Sequence, residues 1–252
     1  LLRAAAAARA RARVIARRPM VLAGLGLLDV VFAAYGGRCH AKPLAYDGQF
    51  VPAGTAVAEV EGPAADLLSA ERILLNFLQR LCGVATHTRE HVLALGSSPT
   101  KLLDTRKTTP GWRALEKYAV RCGGCVNHRS SLGEHVLIKD NHIAAAGSLT
   151  KAVKLCRAAA PHSAKIEVEA TTLAEVKEAV RAGAEVVLLD NMSPAMVRSA
   201  VAIIAGAAVV EVSGGVRYET LRDYALAGVD VISVGALTHS APAADLSLTL
   251  LP

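Results

Sequence analysis

Three short bursts of cationic and proton-carrying side chains stand between Lys101 and His142: Asp104-Thr105-Arg106-Lys107-Thr108, Asn127-His128-Arg129 and Ile138-Lys139-Asp140-Asn141-His142. Such density asks for a polyanionic ligand. Arginine grips carboxylate through two parallel N–H donors while lysine acts as a point charge, so Arg106 and Arg129 together imply a substrate with more than one carboxylate. Further along, Glu169 and Asp190 could hold a divalent ion directly or through water, or bind ribose hydroxyls, and Glu167 shares the face of Glu169 by period two. Ser213-Gly214-Gly215 and Val234-Gly235-Ala236 offer backbone N–H groups unshielded by large side chains, which suits a phosphate monoester.

Those groups need strands to place them. From about residue 100 the chain alternates short β-branched runs with Ala-rich helical stretches, the pattern of parallel strands joined by crossover helices. Seven strands are predicted, Lys101–Thr105, Val126–Arg129, Val136–Lys139, Lys165–Ala170, Glu185–Asp190, Val209–Ser213 and Asp230–Gly235, with helices such as Leu173–Ala182 and Pro194–Ile204 between the later ones. A closed β/α barrel follows, with an open doubly wound sheet as the alternative. In a barrel all the strand ends converge on one mouth, so cations, carboxylates and glycines distant in sequence would share a cavity.

Before residue 100 the texture changes. Strands are expected at Ala10–Ala16 and Ala56–Val60, turns at Asp47-Gly48 and Pro52-Ala53-Gly54, and a long helix from about Ser69 to Leu95. Over Ala70–Leu81, Ile73, Leu74, Phe77, Leu78 and Leu81 form one apolar face. The expected organisation is a small α+β domain over 1–98, with the tail 241–252 as a candidate addition to it, and a barrel over 99–240. Gly24-Leu25-Gly26 lacks the third glycine and the preceding strand of a dinucleotide turn.

Composition removes other classes. The 252 residues, 52% hydrophobic, can bury one large α/β domain and a small companion, but no apolar run approaches the roughly 20 residues of a membrane helix. The net charge of +6 suggests nucleic acid at first sight. Yet residues 1–18 carry six arginines and no acid, leaving 22 basic against 22 acidic residues in the rest. The period-two alternation of Arg9, Arg11 and Arg13 suits a strand with one solvated face better than a DNA-reading helix, so neither a nucleic-acid nor a membrane partner is expected. Five irregularly spaced cysteines fit a reducing, cytoplasmic compartment. Cys122-Gly123-Gly124-Cys125, with His128 and His135 downstream, has the outline of a zinc site but lacks a second Cys-x-x-Cys; two free thiols beside a turn is the simpler reading.

Taken together, Asp104-Thr-Arg-Lys-Thr-Thr-Pro-Gly111, Glu116-Lys-Tyr-Ala-Val-Arg-Cys-Gly-Gly124, Val126-Asn-His-Arg129, Leu137-Ile-Lys-Asp-Asn-His-Ile143 and Gly235-Ala-Leu-Thr-His-Ser240 resemble the quinolinate phosphoribosyltransferase family over nearly the whole chain. The resemblance implies transfer of phosphoribosyl from phosphoribosyl pyrophosphate to the ring nitrogen of quinolinate, with Mg²⁺, and loss of the adjacent carboxylate. It further implies that Arg106, Arg129 and Lys139, helped by His128, bind the quinolinate carboxylates, that Thr105 contacts substrate, and that Lys107 favours the pyrophosphate. Glu169 and Asp190 would serve the ribose and metal, and Ser213, Gly214, Gly215, Val234, Gly235 and Ala236, with His239 nearby, the 5′-phosphate. Arg72 would reach the neighbouring subunit's site in a homodimer or larger assembly. Members usually begin with a further Glu-Asp-x-Gly-x-Gly-Asp-like segment; Cys125, Ser131 and Glu134 stand where glycine, glycine and aspartate are usual.

Overall fold

The computed structural model describes residues 8–252; Arg3 of the basic run and the very start of the expected N-terminal domain lie outside them. In chain order the elements begin with β1 (Arg9–Ala16), β2 (Met20–Val21), α1 (Leu27–Ala34), β3 (His40–Pro43), β4 (Phe50–Val51), β5 (Ala56–Pro63) and α2 (Ala64–Leu95). There follow β6 (Lys101–Leu103), α3 (Arg113–Gly123), β7 (Val136–Ile138), α4 (Asp140–Ala146), α5 (Leu149–Ala159), β8 (Ile166–Ala170), α6 (Leu173–Ala182) and β9 (Val186–Asp190). The chain ends with α7 (Pro194–Ile204), β10 (Val209–Ser213), α8 (Leu221–Tyr224), β11 (Val231–Ser233), α9 (Ala236–His239) and β12 (Leu246–Leu250).

Two compact units result. The first runs through Glu90 and adds Thr108–Cys125 and Leu237–Pro252; the second comprises His91–Lys107 and Val126–Ala236. A boundary at 98/99 puts residues 108–125 with the barrel, whereas the structure gathers them into the first unit. The cause is local: Trp112 stacks on Phe77 with ring centroids 4.7 Å apart. The fully buried Glu116 carboxylate accepts from Arg80 at 2.7 and 3.0 Å. Gly123 fits so closely that a Cβ there would stand 2.5 Å from the Thr88 Cβ.

In the first unit an antiparallel sheet runs β12-β1-β5-β3. The period-two reading of β1 holds: Ala12, Val14 and Ala16 are buried, while Arg9, Arg11 and Arg13 reach out to Glu61 and Glu59 on β5. The local basic excess is thus met by acids one strand away, in exposed pairs that solvent screens. On α2 the core face is Leu67, Ala70, Leu74, Leu78 and Leu81, joined by Leu75, and Ile73 is 42% exposed. The expected face is therefore rotated: the stripe follows i, i+3, i+7, i+11, i+14, which leaves Ile73 at its rim.

The second unit is a six-stranded parallel sheet, β6-β11-β10-β9-β8-β7, with helices between the strands. Ile166, Val168, Ala170, Val187, Leu189, Val210, Val212 and Ile232 are buried on one face. Side chains of the alternating set, from β6, β7, β8, β9, β10 and β11, line common interior cavities, so the sheet is rolled into a barrel-like form. The expected seventh strand at Val126–Arg129 is reduced to one parallel bridge, Leu103 to Val126. Its following backbone bonds to side chains instead, with the His128 amide donating to Asp104 and the Arg129 amide to His128 Nδ1. Helices α6 and α7 have the predicted limits because each has a local start signal: Thr172 and Glu175 form a capping box, and Ser193 caps a turn opened by Pro194. Among the described residues no helix is long and apolar enough to cross a membrane.

Candidate functional site

The strand ends of the second unit enclose a cavity of about 180 Å³ lined by Thr105, Arg106, Lys107, His128, Arg129, Leu137, Lys139, Glu169, Leu188, Asp190, Glu211, Ser213 and Ser233. Nine residues singled out from sequence meet here. The cations enter from the loops after β6 and before β7 and from the end of β7, and the carboxylates stand at the ends of β8 and β9.

Asp104, fully buried, organises the first side of this cavity. Its carboxylate accepts from the His128 amide at 2.8 Å and from Asn127 Nδ2 at 2.6 Å, tying the Asn-His-Arg segment to the end of β6. Arg129 is 7% exposed and donates to the His135 carbonyl at 3.1 Å. Burial, and then the nearby Arg106 charge, lower its pKa from the usual guanidinium value. Two guanidiniums this close to one another can each grip a carboxylate through two N–H donors.

His128 Nε2 lies 3.4 Å from Glu211 Oε1 and 3.6 Å from Glu167 Oε2. Burial alone would lower its pKa, but the bonds to the two carboxylates raise it to about 9. The Arg129 amide at Nδ1, 2.8 Å away, pulls toward the neutral ring. In either state Nε2 carries a proton. Glu211 also accepts from the Ser233 hydroxyl at 2.5 Å. Neither buried residue stands in a chemical motif of the sequence; their one signal is the period-two alternation of β10 and β11, which puts Glu211 and Ser233 on the face of Ser213.

Lys139 is ion-paired with Glu169, and the Lys139 amide donates to His142 Nδ1 at 2.9 Å, which fixes the start of α4. Asp190 accepts from Asn191 Nδ2 at 2.7 Å. Asn191 has a positive φ of 53°, and its amide donates to the Ser213 carbonyl at 3.0 Å. Gly214 follows with φ +80°, and a Cβ there would fall 2.5 Å from Asn191 Oδ1 and 2.7 Å from Asp190 Oδ1. Only glycine combines that backbone with that closeness. Two hard carboxylates at neighbouring strand ends match what Mg²⁺ takes from proteins, which is one or two carboxylates, with water and phosphate oxygens completing the shell.

Gly214, Gly215, Val234, Gly235 and Ala236 follow β10 and β11 without lining the cavity wall. The Val234 amide donates to the Leu103 carbonyl at 2.9 Å, so it is committed to the sheet rather than offered to a phosphate. Arg72 and His239 are both exposed and belong to the first unit. Glu167 shares the interior face with Glu169, as period two requires, but opens into a second cavity nearer the strand starts.

Against known proteins the chain matches Quinolinate phosphoribosyl transferase, C-terminal domain, over residues 84–249. It matches Quinolinate phosphoribosyl transferase, N-terminal domain, over residues 3–82. It is 44% identical over 237 residues to the probable nicotinate-nucleotide pyrophosphorylase (carboxylating) of Bacillus subtilis, covering 94% of this chain and 82% of that one. With the human nicotinate-nucleotide pyrophosphorylase (carboxylating) it shares 41% identity over 240 residues, 93% and 80% of the two chains. The solved nicotinate-nucleotide pyrophosphorylase of Francisella tularensis superposes with a TM-score of 0.95 at 41% identity, covering 99% of this chain and 89% of that one.

Proposed function

The chain belongs to the quinolinate phosphoribosyltransferase family, and from that premise we propose how its residues divide the work of a carboxylating nicotinate-nucleotide pyrophosphorylase. The reaction joins quinolinate to phosphoribosyl pyrophosphate and yields nicotinate mononucleotide, pyrophosphate and CO₂, a step of NAD biosynthesis. The observation that carries this reading is the cavity wall itself, where Arg106, Lys107, His128, Arg129 and Lys139 face Glu169, Asp190 and Ser213.

In this reading Arg106 and Arg129 hold the two carboxylates of quinolinate, with Thr105, His128 Nε2–H and Lys139 fixing the ring. Glu169 and Asp190 take the ribose hydroxyls and would hold Mg²⁺. The ion, when bound, offsets the charge that builds on the departing pyrophosphate. Lys107, on the exposed side of the wall, acts on the same developing charge, so it stabilises the transition state more than the ground state. The turn at Ser213-Gly214-Gly215, helped by Gly235 and Ala236, receives the 5′-phosphate. His239 would lie beside that phosphate.

Once the ring nitrogen is bonded to ribose it is cationic and accepts the electron pair left by CO₂. The chain then needs no dedicated base or nucleophile for decarboxylation; it needs the ring held still, which the remaining carboxylate and its arginine provide. The five free cysteines take no part, and fit a reducing cytoplasm. Arg72, exposed on α2, would complete the site of a second copy in a homodimer.

The decisive experiment incubates the protein with quinolinate, phosphoribosyl pyrophosphate and Mg²⁺ and follows CO₂ and nicotinate mononucleotide together. Equal rates of both are expected, and turnover should cease when EDTA removes the ion. Turnover of nicotinate but not quinolinate would overturn the reading.

A further inference from the structure

A second cavity, of about 510 Å³, opens toward the strand starts of the barrel-like unit and is lined by His128, His135, Glu167 and Glu211 among others. The ligand atoms of His128, His135 and Glu167 all lie within 4.8 Å of one another. Glu167 Oε2 is 2.9 Å from His135 Nε2 and 3.6 Å from His128 Nε2. The other oxygen, Glu167 Oε1, is buried without any hydrogen-bond partner, in a residue only 1% exposed. Glu211, 3% exposed, adds a second negative charge 3.4 Å from His128 Nε2. Buried carboxylates of this kind favour a cation close by.

We propose that His128, His135 and Glu167 form a binding site for a zinc-class divalent ion, separate from the hard-oxygen pair Glu169 and Asp190, and that filling it weakens quinolinate binding. Two imidazole nitrogens and one carboxylate suit Zn²⁺ and poorly suit Mg²⁺, and they leave a fourth position open toward the cavity. Ligand atoms around a tetrahedral zinc stand roughly 3.3 Å apart, as Zn–N and Zn–O distances of about 2.0–2.1 Å require. The two separations to Glu167 Oε2 bracket that spacing. His135 has room to adjust its position around an ion because Ser130, Ser131, Leu132, Gly133 and Glu134 just before it are exposed.

Ligation also has a consequence on the other side of His128. With the ion on Nε2, the ring proton must move to Nδ1, where the Arg129 amide now donates. That contact opens, and Arg129 is a wall residue of the first cavity. The coupling rests on the proposed role of Arg129; the binding itself does not. Cys122 and Cys125, the pair that suggested zinc from sequence, contribute nothing to this cluster.

The test titrates chelator-treated full-length protein with Co²⁺ and then Zn²⁺ in excess Mg²⁺, without substrates. One equivalent with the visible absorption of tetrahedral cobalt is expected, with at least about a hundredfold weaker binding in both His135→Ala and His135→Gln. Equal melting temperatures and zinc-free turnover would show that these variants fold. Absence of the cobalt spectrum in the wild type, or unchanged affinity in both variants, would overturn the site. In a second arm Zn²⁺ should raise KM for quinolinate in the wild type alone, and an unmoved KM with zinc bound would overturn the coupling.

Discussion

The Asp104 carboxylate accepts the backbone N–H of His128 at 2.8 Å, so a residue at the end of β6 sets the position of a ring contributed 24 residues later. The same carboxylate holds Asn127, and it is fully buried. Asp104→Ala removes the acceptor from two donors, each costing about 1–3 kcal/mol when left unpaired in the interior. A thermal melt should show a stability loss of at least about 2 kcal/mol, and KM for quinolinate should rise while that for phosphoribosyl pyrophosphate changes little. Asp104→Asn, which keeps one acceptor oxygen for the His128 amide, should fall between.

Arg129→Lys tests the dicarboxylate reading. The substitution keeps one charge but loses the planar fork that bonds a carboxylate twice, and it gives up the bond to the His135 carbonyl. Loss of a charge-assisted bond in a buried site costs about 1.5–3 kcal/mol, so kcat/KM for quinolinate should fall about 10- to 100-fold. The affinity for phosphoribosyl pyrophosphate, measured by calorimetry alone, should hold within about threefold. An equal loss for both substrates would count against Arg129 as a quinolinate residue.

Gly214→Ala tests the phosphate turn. The added Cβ would stand 2.5 Å from Asn191 Oδ1 at a φ of +80°, so it must displace the Asp190-Asn191 pair as well as strain its own backbone. Overpacking and a disfavoured φ together cost about 2–4 kcal/mol. The expected signature is a rise of at least about tenfold in KM for phosphoribosyl pyrophosphate, with KM for quinolinate nearly unmoved.

The parts legible in sequence were those with a local cause. Helices Leu173–Ala182 and Pro194–Ile204 carry their own caps, and the strands beside Glu169, Asp190 and Ser213 read as buried apolar runs. The cationic bursts were legible because charge at a strand end is conspicuous. Val126–Arg129 reads as a strand but forms only one bridge, because nothing local signals that Asp104, far back in the chain, takes its backbone. Glu211 and Ser233 are not legible in the sequence because an isolated acid or serine inside an apolar strand identifies itself only once the rolled sheet defines an interior. Residues 108–125 pack within the first unit through the stack of Trp112 on Phe77, a long-range contact with no local signature in the sequence.

Glu175 provides a pH-dependent prediction at the start of α6. Burial would push its carboxyl up, but bonds from the Thr171 and Thr172 amides and hydroxyls outweigh it and hold the group below its ordinary value of 4.5. A depressed folded-state pKa means the carboxylate's contribution is present above that ordinary value and is lost as pH falls through the depressed one. The capping box is worth about 1 kcal/mol, lessened by solvent around the helix start. Melts from about pH 7 down to about pH 3 should therefore show Glu175→Gln less stable at neutral pH, with the difference from wild type closing in acid.

The proposed exchange of Arg72 between copies predicts complementation. Arg72→Ala should lack the residue in every site of its homodimer, and Lys107→Ala should lack the charge that favours pyrophosphate departure, so each alone should fall by at least about tenfold. Mixed, unfolded and refolded together in equal amounts, half of the dimers become hybrids. In a hybrid, one site has both substitutions and the other has neither, so the mixture should recover about one quarter of wild-type turnover. Recovery no greater than the mean of the two separate variants would place Arg72 in its own subunit's site or on a solvated surface. Sedimentation of the same samples, which must show dimers, keeps a failure to assemble distinct from a failure to share the site.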